Sequence, residues 1–251
     1  MPKFFITQDQ IEKDKITIVG QDVNHIKNVL RQKIGDEIVI CSNTTAQDYK
    51  CKIEKIEEEK ILCKIKEKIE NNSESNIKVT IFQGLPKADK MELVIQKSVE
   101  LGAYDITPIE MKRCVVKLNE KDKTKKIERW QKIAEVAAKQ SGRNQIPKIN
   151  NIIPIKNICK FTDEYDLILV AYEKEENTTL KQVLKEIKQE QKENFKIAVV
   201  IGPEGGIEEQ EIEMLEQSGA KIITLGKRIL RTETVALNIL SIILYELEIK
   251  G

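Results

Sequence analysis

Apolar positions follow two different periods along the chain. Through the first 75 or so residues they alternate with charges. In DYKCKIEKI (48–56) and KILCKIKEKI (60–69), side chains such as Ile61, Cys63 and Ile65 take every second place, the spacing of half-buried strands. KFFI (3–6), ITIV (16–19) and EIVIC (37–41) read as further strands. QDVNHIKNVLR (21–31) reads as one helix, with Val23, Ile26, Val29 and Leu30 in helical register. NNSES (71–75) is polar and turn-rich, the best linker candidate.

From residue 77 the pattern changes. IKVTIFQGL (77–85) predicts a strand, KADKMELVIQKSVELGA (87–103) a helix ended by Gly102, and DITPIEM (105–111) the next strand. A helix follows over roughly 122–140, then strand DLILVAY (166–172), helix TLKQVLKEIKQEQK (179–192) and strand IAVVI (197–201). The helix EEQEIEMLEQSG, the strand IITLG and a closing helix to about 248 complete the chain. Alternating strands and helices imply a largely parallel sheet covered on both faces. The expected architecture is a β-rich module over 1–73 and an α/β domain over 74–251.

The 251 residues are enough for two modest cores, and 40% apolar content argues for a folded chain despite 33% charge. No apolar stretch spans a bilayer and the N-terminus has no signal-like core, so a cytoplasmic protein is expected. Five cysteines (Cys41, Cys51, Cys63, Cys114, Cys159) without a CxxC pair, and His25 as the sole histidine, give no basis for a metal site. The net charge of +1 conceals a basic block: residues 86–148 carry 15 basic and 9 acidic side chains, whereas 149–251 carry 13 and 18. Within that block the predicted helix puts Ile127, Trp130, Ile133, Ala134, Ala137 and Ala138 on one face. Lys125, Arg129, Lys132 and Lys139 fall on the other. Such a row is either a solvated face or a ridge that follows phosphates.

Two strand ends open into unusual loops. IAVVI breaks into Gly202-Pro203-Glu204-Gly205-Gly206, and IITL breaks into the run LGKRILRTETVA (225–236). Strand ends of this kind build binding crevices in α/β proteins. GPEGG is no Walker A loop, since no Gly-Lys-Ser/Thr follows, and it is no GxGxxG dinucleotide loop. Its glycines allow close backbone approach to a ligand, and the second loop holds more polar residues than a connection needs.

Together these residues resemble the ribosomal RNA small-subunit (uracil-N3) methyltransferase family of the SPOUT, or trefoil-knot, superfamily. The resemblance runs nearly end to end. It is carried by His25-Ile26-Lys27-Asn28-Val29-Leu30-Arg31 with Gly35-Asp36, Lys87 through Gly102, Glu128-Arg129-Trp130 and Gln140-Ser141-Gly142-Arg143 with Pro147. Gly202–Gly206 and Leu225-Gly226 with Ile229–Thr234 are its most specific blocks. Departures are Ile207 where an aromatic is usual, Cys114 for a serine and Val235 for a smaller residue.

The resemblance implies a small N-terminal PUA-like β-barrel and a C-terminal α/β trefoil-knot domain. It implies S-adenosylmethionine as cofactor, no metal and no membrane, a homodimer, and 16S rRNA as substrate, within the small ribosomal subunit. The cofactor would lie among three loops: Leu169, Val170, Ala171 and Glu173; then Ile201, Gly202, Pro203, Glu204, Gly205 and Gly206; then Leu225, Gly226, Ile229, Leu230, Arg231, Thr232, Thr234 and Ala236. Arg231 is the candidate for electrostatic catalysis and Glu233 for positioning or proton acceptance. RNA contacts are expected from His25 and Arg31, from Lys87, Lys90, Arg113, Arg129 and Lys132, and from Gln140, Ser141 and Arg143. The alternatives are a ribose 2′-O-methyltransferase of the same superfamily and a non-catalytic rRNA-binding assembly factor.

Overall fold

The structure, a computed structural model, describes residues 3–71, 73–188 and 194–248. The chain forms two compact units, one of residues 1–74 with 138–146 and one of 75–137 with 147–251.

The first unit is a six-stranded sheet of β1 (Lys3–Ile6), β2 (Ile11–Glu12), β3 (Lys15–Val19), β4 (Glu37–Ser42), β5 (Asp48–Ile56) and β6 (Lys60–Ile69), in the order β1-β4-β5-β6-β3-β2. Only β1 and β4 are parallel. Period-2 patterning sends Cys51, Ile53, Ile61 and Cys63 inward, each with no exposed surface, onto Phe4, Ile16, Ile18, Ile38 and Ile40. Helix α1 (Gln21–Asn24) continues as a π-helical turn over His25–Val29 and closes this core with Val23 and Ile26. The expected single helix over 21–31 therefore ends two residues early, and Arg31 takes a positive φ of 53°.

Residues 138–146 are fastened to this unit by polar contacts. Lys3 Nζ reaches Asp48 at 2.7 Å and donates to the carbonyls of Gly142 and Arg143. The Arg143 guanidinium is gripped by Glu74, which also accepts the Asn144 N–H. The NNSES stretch is thus tied down at Asn71 and Glu74, while residue 72 lies outside the described residues.

The second unit contains β7 (Lys78–Gly84), α2 (Lys90–Glu100), β8 (Asp105–Glu110), α3 (Glu120–Ser141), β9 (Lys148–Ile149), β10 (Ile153–Pro154), β11 (Leu167–Ala171), α4 (Leu180–Ile187), β12 (Lys196–Ile201), α5 (Glu209–Gln217), β13 (Lys221–Ile223) and α6 (Thr232–Leu247). The last four residues of α3 belong to the first unit. All pairings in its sheet are parallel, in the order β10-β8-β7-β12-β11-β13 with β9 beside β8. Apolar runs fill the centre: Ile197 to Ile201 are at most 1% exposed, as a strand covered on both faces requires. Gly102, at φ +96°, ends α2 in the left-handed conformation that a Cβ disfavours. Thr179 and Gln182 form a capping box that starts α4, whose expected continuation over 189–192 lies outside the described residues. In α3, Trp130, Ala134, Ala137 and Ala138 are buried while Lys125, Arg129 and Lys132 are exposed, as the helical period predicts.

Candidate active site

Parallel register puts four strand ends at one edge of the sheet. Gln83 of β7 stands beside Ile201 of β12, Ile201 beside Ala171 of β11, and Ala171 beside Ile223 of β13. The loops that follow β11, β12 and β13 therefore leave side by side, at the carboxyl edge where open α/β sheets bind ligands.

Close backbone packing explains the glycines. A Cβ at Gly84 would fall 2.8 Å from the Pro203 nitrogen, so the end of β7 and the GPEGG turn touch through backbone. Gly206 has φ +72°, and a Cβ there would meet Glu173 Oε1 at 2.5 Å. The carboxylate of the β11 loop thus lies directly against the β12 loop. Arg113 Nη1 donates to the Gly205 carbonyl at 3.1 Å from the other side. The third loop is tied to the first at its base: the Tyr172 N–H donates to Ile223 O and the Thr224 N–H to Thr178 O. It then turns at Gly226, φ +104°, whose N–H donates to Thr224 Oγ1.

Two side-chain groups join these loops to neighbouring elements. Glu204 accepts the Lys87 N–H on both carboxylate oxygens, at 3.1 and 3.2 Å, and pairs with Lys90 Nζ at 2.9 Å. Lys90 Nζ also lies 3.4 Å from Glu233 Oε2, in ion-pair range but without hydrogen-bond alignment. Partial burial pushes the Glu204 carboxyl up; Lys90, its own N–H and the Lys87 N–H outweigh that and hold it below the usual carboxylate range. The same contact with Glu204 raises the Lys90 ammonium. Behind them, Thr232 Oγ1 contacts both the Gly202 carbonyl and the Gln83 amide.

The expected residues fall into distinct places. Leu169 and Val170 are fully buried strand residues, so they offer only backbone, and Ile201 and Ala236 are core. Gly202, Gly205, Gly206, Leu225 and Gly226 line the edge with backbone, and Pro203 is buried beneath it. Ile229 stands 85% exposed, with Leu230 half-buried beside it. Thr234 donates its N–H to Arg231 O in the first turn of α6. Arg231 is exposed, and among the described residues its guanidinium makes no hydrogen bond or ion pair, so it is open to a ligand. Glu204 and Lys90, by contrast, are committed to each other. Lys90 is a loop brace here rather than a free phosphate contact, because two carboxylates hold it.

Among expected RNA contacts, Lys87, Arg113, Lys132, Gln140 and Ser141 are exposed. Arg129 is exposed but paired with Glu92 at 2.7 Å. His25 is exposed and packs edge-on against Phe4, 5.9 Å between centroids; Arg31 is exposed. Arg143 differs from expectation. It is 4% exposed and its guanidinium is spent on Glu74, so it anchors the Gln140-Ser141-Gly142 tip instead of facing a ligand. Gln83 is not singled out by sequence: a polar residue in a largely apolar strand, like Thr80 before it, gives no sign of a partner 149 positions away.

The arrangement has groups that a flat, polar cofactor needs: glycine backbone on the loops after β12 and β13, a buried carbonyl of Gln83 without a hydrogen bond, and exposed cations such as Arg231. No group of three or more His, Cys, Asp or Glu side chains among the described residues could hold a metal.

Comparison with known proteins decides the lineage. A family model for the RNA methyltransferase domain matches residues 73–244, and one for the RNA methyltransferase PUA domain matches 18–66. The chain is 39% identical to ribosomal RNA small subunit methyltransferase E of Bacillus subtilis, over 99% of this chain and 98% of that one. The chain belongs to the ribosomal RNA small subunit methyltransferase E family. A solved structure described as a hypothetical protein shares 38% identity, with a TM-score of 0.89 and 98% of each chain covered. The Neisseria gonorrhoeae family member, solved bound to S-adenosyl methionine, shares 28% identity and a TM-score of 0.85, over 98% of this chain and 97% of that one. The N-terminal unit is accordingly PUA-like, and the parallel sheet with its covering helices is a methyltransferase domain of SPOUT type.

Proposed function

We propose that this chain is an S-adenosylmethionine-dependent methyltransferase that modifies N3 of a uridine in 16S ribosomal RNA. The observation that carries the reading is the meeting of three loops, 171–177, 202–206 and 224–231, at one sheet edge in a chain of this family. When bound there, S-adenosylmethionine supplies an electrophilic methyl group on a sulfonium.

Uridine N3 carries a proton at neutral pH, and its removal leaves negative charge shared with the flanking carbonyl oxygens. Arg231, exposed and without a hydrogen bond or ion pair among the described residues, offers a cation to meet that charge, whereas Lys90 is held by Glu204. Glu233, half-buried at the start of α6, is the carboxylate nearest in sequence to Arg231 that can accept the proton or orient the base. Lys90 holds Glu233 and Glu204 side by side. Glycine backbone at 202, 205, 206 and 226 holds the cofactor, so that much of the rate comes from alignment. The Watson–Crick edge must be free, which requires an unpaired or flipped uridine.

Exposed basic and polar side chains support RNA binding: Lys87, Arg113 and Lys132 in one unit, and His25, Arg31, Gln140 and Ser141 in the other. The small ribosomal subunit is the proposed form of the substrate. A homodimer is proposed because Ile229 and Tyr245 stand 85% and 83% exposed on the cofactor loop and α6, which a second copy would cover. No helix among the described residues is long and apolar enough to cross a membrane; a cytoplasmic location is proposed from the rRNA substrate.

The test is mass-spectrometric mapping of small-subunit rRNA nucleosides with and without the protein. Loss of one N3-methyluridine is expected. Loss of a ribose methylation instead would make it a 2′-O-methyltransferase, and unchanged nucleosides with no cofactor binding by calorimetry would make it an assembly factor.

A further inference from the structure

One hydroxyl joins three separate segments of the methyltransferase unit. Thr232, the first residue of α6, is 6% exposed, and Gln83, near the end of β7, is fully buried. Gln83 Nε2 donates to Thr232 Oγ1 at 2.8 Å and to the Gly84 carbonyl at 3.0 Å. With that donor occupying a lone pair, the Thr232 hydroxyl directs its own proton to the Gly202 carbonyl, 2.6 Å away. The proton order along Gln83, Thr232 and Gly202 is therefore fixed; the two bonds from Gln83 are buried and the one to Gly202 is partly so, which strengthens them.

The consequence concerns two loops. Gly202 opens the GPEGG turn, and Thr232 closes the 224–231 loop that leaves β13 at the sheet edge and returns to the central strands. No backbone bond between these two segments is needed to set their spacing, because the hydroxyl does it. Gln83 in turn holds the hydroxyl in place from β7. Pro203, whose backbone nitrogen a Cβ at Gly84 would touch, packs against the same strand end.

We infer that Gln83 and Thr232 are positioning residues for the cofactor pocket: a buried amide–hydroxyl–carbonyl relay that fixes the distance between the second and third cofactor loops. The inference rests on the cofactor reading above. Neither side chain has a polar atom to spare for reaching the ligand except Gln83 Oε1, which is buried without a hydrogen bond. The relay acts through the loops it holds.

Thr232→Val keeps the shape and removes the hydroxyl, leaving the Gly202 carbonyl without its donor and the Gln83 amide with the Gly84 carbonyl alone. S-adenosylmethionine affinity, measured by calorimetry, is expected to fall about tenfold. The KM for small-subunit rRNA should stay within about twofold, since the relay touches no expected RNA contact. Thr232→Ser restores the hydroxyl and is expected to bind cofactor within about twofold of the parent. Gln83→Met should reproduce the Thr232→Val loss, and the double variant should bind no more weakly than either single one, because one relay is broken only once. Additive losses, or Thr232→Val and Gln83→Met proteins that bind cofactor like the parent, would overturn the inference. A parent protein that binds no cofactor would overturn the functional reading instead. If Thr232→Val fails to fold, the Thr232→Ser and Gln83→Met measurements still decide.

Discussion

Lys90 Nζ stands 2.9 Å from Glu204 Oε1, joining the start of α2 to the GPEGG turn. The same ammonium is 3.4 Å from Glu233 Oε2, so one cation keeps two carboxylates of the site from repelling each other. Lys90→Met is expected to weaken S-adenosylmethionine binding about fivefold, because the GPEGG turn loses its tie to α2 while two like charges remain together. Adding Glu204→Gln should recover part of the loss, since the repulsion then disappears. Calorimetric titration of parent, single and double variants checks the cycle; strictly additive losses would mean the three groups are not coupled.

The Glu204 carboxyl is held below its ordinary range, which fixes the direction of a pH effect. A carboxylate with a depressed folded value stabilises the fold above its unfolded value of about 4.3 and loses that contribution as pH falls through the folded one. Cofactor affinity should therefore be level from pH 8 to about 5 and fall only on the acid side of the ordinary carboxylate value of about 4.3, as pH drops through the lower folded value at which this clasp is protonated. The Glu204→Gln protein should start weaker and show a shallower acid limb. Equal acid limbs in the two proteins would assign the titration to another group.

Much of this arrangement is readable in the chain, for reasons that differ by element. The strands over 48–56 and 60–69 match residue for residue because alternation over nine or ten positions admits one periodicity. The three cofactor strands are legible as apolar runs, yet only family resemblance points to 169–173 as a loop of the site, since Leu169 and Val170 look like any core strand. Two-residue strands at 148–149 and 153–154 are too short to show a period. Glycine at 206 reads as flexibility, while its need for space comes from Glu173, whose position no local pattern encodes. Lys90 and Arg143 look alike as surface cations in sequence. Their partners at 204, 233 and 74 are set by tertiary packing, which turns one into a loop brace and the other into a buried anchor.

Gly206 offers a clean steric test. Alanine there must adopt φ +72° and place its methyl group against the Glu173 carboxylate, whereas Gly219, at φ +94°, has nothing within 4 Å of a Cβ. Both Gly206→Ala and Gly219→Ala should lower stability by about 1 kcal/mol from backbone strain alone. Only Gly206→Ala should weaken cofactor binding, by about tenfold or more, because it separates two of the loops. Thermal melts with and without S-adenosylmethionine distinguish the two: the cofactor-induced rise in Tm should persist in Gly219→Ala and shrink in Gly206→Ala.

Arg231 is open to solvent and unpaired among the described residues, so its removal costs the fold little. Arg231→Ala should leave stability within about 0.5 kcal/mol of the parent and lower kcat about a hundredfold, the scale of losing one electrostatic contact to a transition state. Arg231→Lys, which keeps the charge but loses the planar fork, should recover only part of that rate. Single-turnover methylation of small subunits measures the chemical step directly. A full rate in Arg231→Ala with normal RNA binding would remove it from catalysis.

Arg143 allows a direct role in RNA binding to be separated from an anchoring one. Its guanidinium is 5% exposed and is held by Glu74, so removing one partner leaves a charge buried without its counterion. Glu74→Gln and Arg143→Ala should each destabilise the N-terminal unit by about 3 kcal/mol, read by urea unfolding. Both should raise the KM for rRNA, because the Gln140-Ser141-Gly142 tip loses its anchor, while cofactor affinity stays unchanged. The decisive comparison is Glu74→Gln, which leaves the arginine in place. If only Arg143→Ala impairs RNA binding, and does so without loss of stability, the arginine contacts RNA itself; if both variants impair it in step with their loss of stability, the buried pair acts by holding the tip.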